Sequence, residues 1–182
     1  MSATTHRNDE GAIEAIDLKA LAKELPNSPK PLRVLWQAAD TLAFVVRGRE
    51  GRREFHKDPV DEVMYMIKGD MNLHYLRADG KEDIAQVKEG EIIYCPAGVP
   101  HSPRLPSDAI LLVLERKRRA DEVDRFLFRC ERCGSDLFEV RKEVRDYNDN
   151  VLRDAYEEFY DKAEMKCKTC GYVDPGRPAK PI

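Results

Sequence analysis

The feature that most constrains the fold is a run of short apolar segments, cut at close intervals by turn residues, between positions 42 and 115. Residues 42–46, 62–68, 71–77, 84–87, 91–95 and 110–115 have the length and composition of strands. Between them fall Gly69-Asp70, Ala78-Asp79-Gly80, Gly90 and Pro96-Ala97-Gly98. Turns this tight join antiparallel neighbours, so the pattern predicts a meander of hairpins closed into a sandwich or barrel. Ahead of it, Leu18, Leu21, Ala22 and Leu25 recur at helical spacing until Pro26, which predicts one short amphipathic helix. Residues 1–14 are polar and irregular, and are expected to be mobile.

After Glu115 the composition changes to a charged run, residues 116–124, followed by four clustered cysteines, which places a domain boundary near Arg118. The expected organisation is a barrel domain over 15–118, a cysteine module over 119–176 and a proline-rich tail over 177–182. Cys130-Glu131-Arg132-Cys133 and Cys167-Lys168-Thr169-Cys170 are each followed by glycine, which lets the backbone turn around a bound ion. Two such pairs form a tetrahedral thiolate set for Zn(II) or a single rubredoxin-type iron, closed to substrate and therefore structural. Between the pairs, Val151, Ala155, Phe159 and Met165 suggest a helix.

A formal net charge of −3 gives no footprint for nucleic acid or an anionic membrane, so small molecules or a second copy are the expected partners. The N-terminus lacks the basic start and apolar run of a signal peptide, and the expected location is cytoplasmic, where the cysteines stay reduced.

Two further segments carry chemistry. His56 and Glu62 are followed by Gly69 after a six-residue gap, and residues 90–101 read Gly-Glu, four residues, Pro96, Gly98 and His101. Together they resemble the two motifs of the cupin superfamily, whose fold is a jelly-roll barrel, or double-stranded β-helix. Two imidazoles and one carboxylate on one face of an octahedral ion leave up to three positions for substrate and O₂. Fe(II) suits oxygen chemistry, while zinc or manganese also fits the ligand set. His6 and His74 read as ordinary polar residues, and Cys95 as a small buried one.

The fragments LWQ at 35–37, HSP at 101–103, LER at 114–116 and the paired Cys-x-x-Cys segments resemble the bacterial 3-hydroxyanthranilate 3,4-dioxygenases, from about Leu35 to Gly176. The resemblance implies Fe(II) on His56, Glu62 and His101, a second metal on Cys130, Cys133, Cys167 and Cys170, and a homodimer. It implies ring opening of 3-hydroxyanthranilate by O₂ to 2-amino-3-carboxymuconate semialdehyde, within tryptophan catabolism through kynurenine. Arg52, four residues before His56, takes an active-site arginine's place, and Glu115 takes that of a substrate-contacting glutamate.

Two features depart from the family pattern. The family reads HSPQR where this chain reads HSPRL, so Arg104 arrives one position early and Leu105 takes the place of the arginine that binds the substrate carboxylate. On a strand, that shift sends the side chain to the opposite face unless the loop bends to restore it. The loop before Arg52 reads Arg47-Gly48-Arg49-Glu50-Gly51 in place of the family's GGPN-type turn; its arginines alternate with Glu50 and Glu54, a pattern that also suits a solvated hairpin. Both changes bear on substrate recognition, leaving open another aminophenol or a catechol, or a ligand-sensing cupin that binds metal without consuming oxygen.

Overall fold

The computed structural model describes residues 15–37, 40–49, 51–149 and 151–177. The expectation for residues 1–14 lies outside them, as do His6 and most of the tail. The N-terminal helix α1 (Leu18–Glu24) forms as its periodicity predicts. The Asp17 carboxylate caps it, accepting from the backbone N–H of Lys19 at 2.9 Å and of Ala20 at 3.1 Å. Pro26 then ends the helix in a 3-10 turn, Leu25–Asn27.

Eleven strands follow among the described residues: β1 (Leu32–Trp36), β2 (Thr41–Arg47), β3 (Phe55–Lys57), β4 (Glu62–Lys68), β5 (Met71–Leu76), β6 (Glu82–Val87), β7 (Ile92–Cys95), β8 (His101–Arg104), β9 (Ile110–Arg116), β10 (Asp124–Arg129) and β11 (Asp136–Lys142). They form two antiparallel sheets, ordered β1-β2-β9-β4-β7 and β11-β10-β3-β8-β5-β6. The main core lies between them, where Met64, Met66, Leu111 and Val113 of the first sheet meet Met71 and Leu73 of the second. This is the mainly β barrel expected of a cupin.

The outer face of the first sheet is also covered. Ala43, Val45, Ile110 and Leu112 pack under Leu21 and Leu25. Buried on both faces, β9 needs no alternation, which accounts for the unbroken apolar run from Ile110 to Leu114.

The six predicted strands all form, with ends that shift by one or two residues. Five others were not predicted. β3 is only three residues long, and β8 contains Pro103, a residue that argues against a strand in sequence. β10 alternates strictly, with Phe126 and Phe128 buried, but sits beside the cysteines and reads as part of their module. It pairs with β3, Phe126 opposite His56, so the second sheet runs without a break past the boundary expected near Arg118.

Helix α2 (Val151–Lys162) packs Ala155, Tyr156 and Phe159 onto β10 and β11, with the Phe159 ring stacked 4.2 Å from Phe128. Met165 lies beyond the helix end. There the chain turns into the second cysteine pair, closed by a bridge between Lys166 and Val173.

Candidate active site

Strand register assembles the site. On the second sheet His56 of β3 lies directly opposite His101 of β8; on the first, Glu62 of β4 lies opposite Glu115 of β9. Two imidazoles on one sheet thus face two carboxylates on the other. The turn before β8 is held by Gly98, whose φ of +77° suits glycine and whose N–H donates to the Asp58 carbonyl at 2.7 Å. That bond ties the His56 segment to the His101 segment.

His101 is 2% exposed, and both of its nitrogens are engaged. Nδ1 donates to the Val99 carbonyl at 3.0 Å, and Nε2 lies 3.0 Å from Glu62 Oε2. Burial opposes its charge, but Glu62, helped by the Cys95 thiol 3.4 Å from Nδ1, raises its pKa to about 10. For Glu62, burial acts upward and the His101 cation prevails, holding the carboxyl well below the usual range. His56 is pulled down by burial, against the attraction of Asp124. Its ring stacks on Phe126, with centroids 4.6 Å apart.

Three acidic or basic residues that the sequence reading did not single out complete this centre. Asp58 Oδ1 lies 3.1 Å and Asp124 Oδ2 2.8 Å from His56 Nε2. Arg118, almost wholly buried, bonds Asp58, Glu115 at 2.6 Å and Asp124 at 2.8 Å. Glu115 therefore pairs with Arg118, not with its neighbours Arg116 or Lys117. Burial and the Glu62 charge push its carboxyl up to about 8 despite Arg118, and its Oε2 has no hydrogen-bond partner among the described residues. The period of two along a strand was the available signal for Asp58, which shares a face with His56.

The ligand atoms of His56, Asp58, Glu62 and His101 all lie within 4.8 Å of one another, a group able to hold a metal ion. His56, Glu62 and His101 line a cavity of about 330 Å³ whose walls include Met64, Val113, Phe126, Arg47, Arg49 and Arg52. Arg52 is steered by the fully buried Glu54, which accepts from its Nε at 2.6 Å and from the Tyr156 hydroxyl of α2 at 2.6 Å. The arginines of this loop line a cavity; they do not form a solvated hairpin.

Arg104 does not line the cavity. Its neighbours Pro103 and Leu105 do, and strand alternation sends Arg104 to the other face, 3.6 Å from Glu82. In this arrangement Arg104 stands apart from the arginines that line the cavity. His74 shares Glu82, at 2.5 Å, and lies outside the centre.

The four cysteines form a second group. Cys130 and Cys170 sulfurs are 3.6 Å apart, as are those of Cys133 and Cys167, and all four lie within 4.8 Å of one another. Gly134 and Gly171 donate back to the Cys130 and Cys167 carbonyls, closing each knuckle. The Ser135 hydroxyl, 3.1 Å away, and backbone amides pull the Cys167 thiol down to about 5, toward the thiolate a metal requires.

Comparison with known proteins identifies the family. Residues 13–160 match the family model for 3-hydroxyanthranilic acid dioxygenase. The chain is 36% identical over 154 residues to the 3-hydroxyanthranilate 3,4-dioxygenase of Bacillus cereus, covering 84% of this chain and 86% of that one. It is 35% identical over 145 residues to the enzyme of that name from Paraburkholderia phytofirmans, covering 79% of this chain and 82% of the other. Among solved structures, a Bacillus subtilis oxalate decarboxylase mutant matches 43% of this chain and 21% of its own at 28% identity, with a TM-score of 0.38. No helix among the described residues is long and apolar enough to cross a membrane. With family model and relatives spanning most of its length, the chain belongs to the 3-hydroxyanthranilic acid dioxygenase family.

Proposed function

We propose that the protein is a mononuclear Fe(II) dioxygenase that opens the ring of 3-hydroxyanthranilate to 2-amino-3-carboxymuconate semialdehyde. The observation that carries this reading is the His56/His101 pair facing Glu62 and Glu115 at the end of one cavity, in a chain of this family.

His56, Glu62 and His101 would hold the iron. The donor set fits: the Val99 carbonyl fixes Nδ1 of His101 as a donor and leaves Nε2 for a metal, and Glu62 reaches the same point. When bound, Fe(II) supplies the electrons that activate O₂ and open positions for the substrate's hydroxyl and amine. The remaining work falls to the chain's own residues. Glu115 Oε2, buried and unpartnered among the described residues, stands ready to take or return a proton of the substrate hydroxyl, and Arg118 holds its Oε1. Arg52, fixed by Glu54, presents its remaining guanidinium donors to developing negative charge. Apolar walls limit water around the ring.

Cys130, Cys133, Cys167 and Cys170 would hold zinc or iron in a structural role. A homodimer in the cytoplasm completes the reading.

The test loads the protein anaerobically with Fe(II), adds 3-hydroxyanthranilate, admits air and follows oxygen uptake with the absorbance of the semialdehyde. Uptake matched by product is the expected result. Verified iron with no uptake on this substrate turns the search to other aminophenols and catechols. No uptake with any of them supports a ligand-sensing cupin.

A further inference from the structure

The cavity is asymmetric in charge. Beside the candidate metal ligands, Arg118 is the cation of a largely acidic group, paired with Asp58, Glu115 and Asp124. Another part of the wall carries Arg47, Arg49 and Arg52, and among the described residues Glu54 is the single carboxylate paired with any of them.

Two of these guanidiniums have protein partners. Arg52 bonds Glu54, and Arg47 donates to the Pro26 carbonyl at 2.7 Å. Arg49 has no hydrogen bond or ion pair among the described residues, although it is half-buried. Burial and the neighbouring Arg52 charge both lower its pKa, as expected of a cation short of a counter-ion.

Its position is not left to a loose loop. The Gly48 N–H donates to the Ala109 carbonyl at 2.9 Å, and a Cβ at Gly48 would come 1.9 Å from the Pro106 carbonyl oxygen. Only glycine lets the chain lie this close, so the backbone leading into Arg49 is pinned against the loop between β8 and β9.

We propose that Arg49 is the carboxylate-binding residue of this cavity: beside Arg52, it pairs with the ring carboxylate of an ortho-aminophenol carboxylic acid whose hydroxyl and amine point toward His56, Glu62 and His101. This rests on the ring-cleaving reading above and adds a residue that sets specificity. A planar carboxylate matches the guanidinium fork, and its charge supplies what this wall lacks. Arg104, facing Glu82, takes no part.

The test uses metal-loaded protein and two probes: anthranilate, which keeps the carboxylate and lacks the hydroxyl, and 2-aminophenol, which lacks the carboxylate. Calorimetry is expected to show Arg49→Met weakening anthranilate binding by about ten- to hundredfold, the loss of one charge-assisted pair, with 2-aminophenol binding unchanged. Arg49→Lys should recover part of the loss, and unchanged 2-aminophenol binding shows that the variant is folded. Wild-type affinity for anthranilate in Arg49→Met overturns the proposal, as does an equal loss for both probes, or a loss that follows Arg104→Met instead. The same variants assayed for oxygen uptake separate the two ideas. If the wild type cleaves 3-hydroxyanthranilate and Arg49→Met does so with an unchanged KM, the substrate stands and Arg49 falls. If the wild type holds anthranilate through Arg49 yet does not cleave 3-hydroxyanthranilate, the subsite stands and the substrate falls.

Discussion

The two metal-competent groups of this molecule are built in opposite ways. The cysteine site comes from two four-residue knuckles, each closed by its own glycine, and presents one kind of ligand to a closed centre. The histidine–carboxylate site draws single residues from different strands of two sheets, mixes charge types and opens into a cavity. Local turns suffice to enclose an ion, whereas a reactive centre needs elements that converge from several directions so that one side stays free for substrate.

The largest expected effect breaks the closed site. Thiolate sites in small modules contribute on the order of 10 kcal/mol to folding, so Cys167→Ser should leave the segment after β10 open to limited proteolysis and lower the melting temperature. Resistance equal to wild type would mean that α2 and its aromatic packing hold the module without the metal.

His101→Ala should do the reverse. Oxygen uptake is expected to fall by more than about a hundredfold, the upper range for disturbing a residue that only orients a ligand, while circular dichroism and the metal held by the cysteines persist. Loss of both metals together would show that the two sites are not independent.

A third effect concerns protons. With Nδ1 on Val99 and Nε2 on Glu62, the surroundings of His101 favour its protonated form, the Glu62 charge raising its pKa to about 10 against burial. That value lies above the unfolded one, so its contribution to the metal-free fold is complete below the unfolded pKa and is lost as pH rises through about 10. A metal ion must displace this proton, so affinity should rise by about tenfold per pH unit across the neutral range. Calorimetry in buffers of different ionisation enthalpy should detect the released proton; identical heats in all of them would contradict the assignment.

The smallest effect tests the link between the two regions. Tyr156→Phe removes the hydroxyl that donates to the buried Glu54 and accepts from the Arg53 N–H, and should raise KM by about two- to tenfold through a less firmly held Arg52 while lowering the melting temperature by a few degrees. An unaltered KM would detach α2 from the active site.

Much of the candidate site is legible in sequence because its residues sit in spaced motifs: His56 with Glu62 and Gly69, His101 behind Pro96 and Gly98, and the cysteine pairs with their glycines. What surrounds the ligands is less legible. Glu54 meets Tyr156 across 102 positions, and Arg118 meets Asp58 across 60, contacts that no local pattern encodes. Arg104 is instructive in the other direction, because strand alternation alone fixed its face once β8 was known to be a strand. β8 is hard to read in sequence because it is four residues long and contains Pro103, which cannot donate to a ladder.

The register that sets His56 opposite His101 and Glu62 opposite Glu115 also has a consequence for how the protein matures. Those pairings are long-range, and the ligands are brought together only when the strands close over large loops, a slow event in a chain of high contact order. Each Cys-x-x-Cys turn needs only its own few residues to offer two thiols to a passing ion. The thiol pairs are therefore able to meet an ion while the chain is still folding, whereas the His56, Glu62 and His101 group is complete only once the barrel has closed.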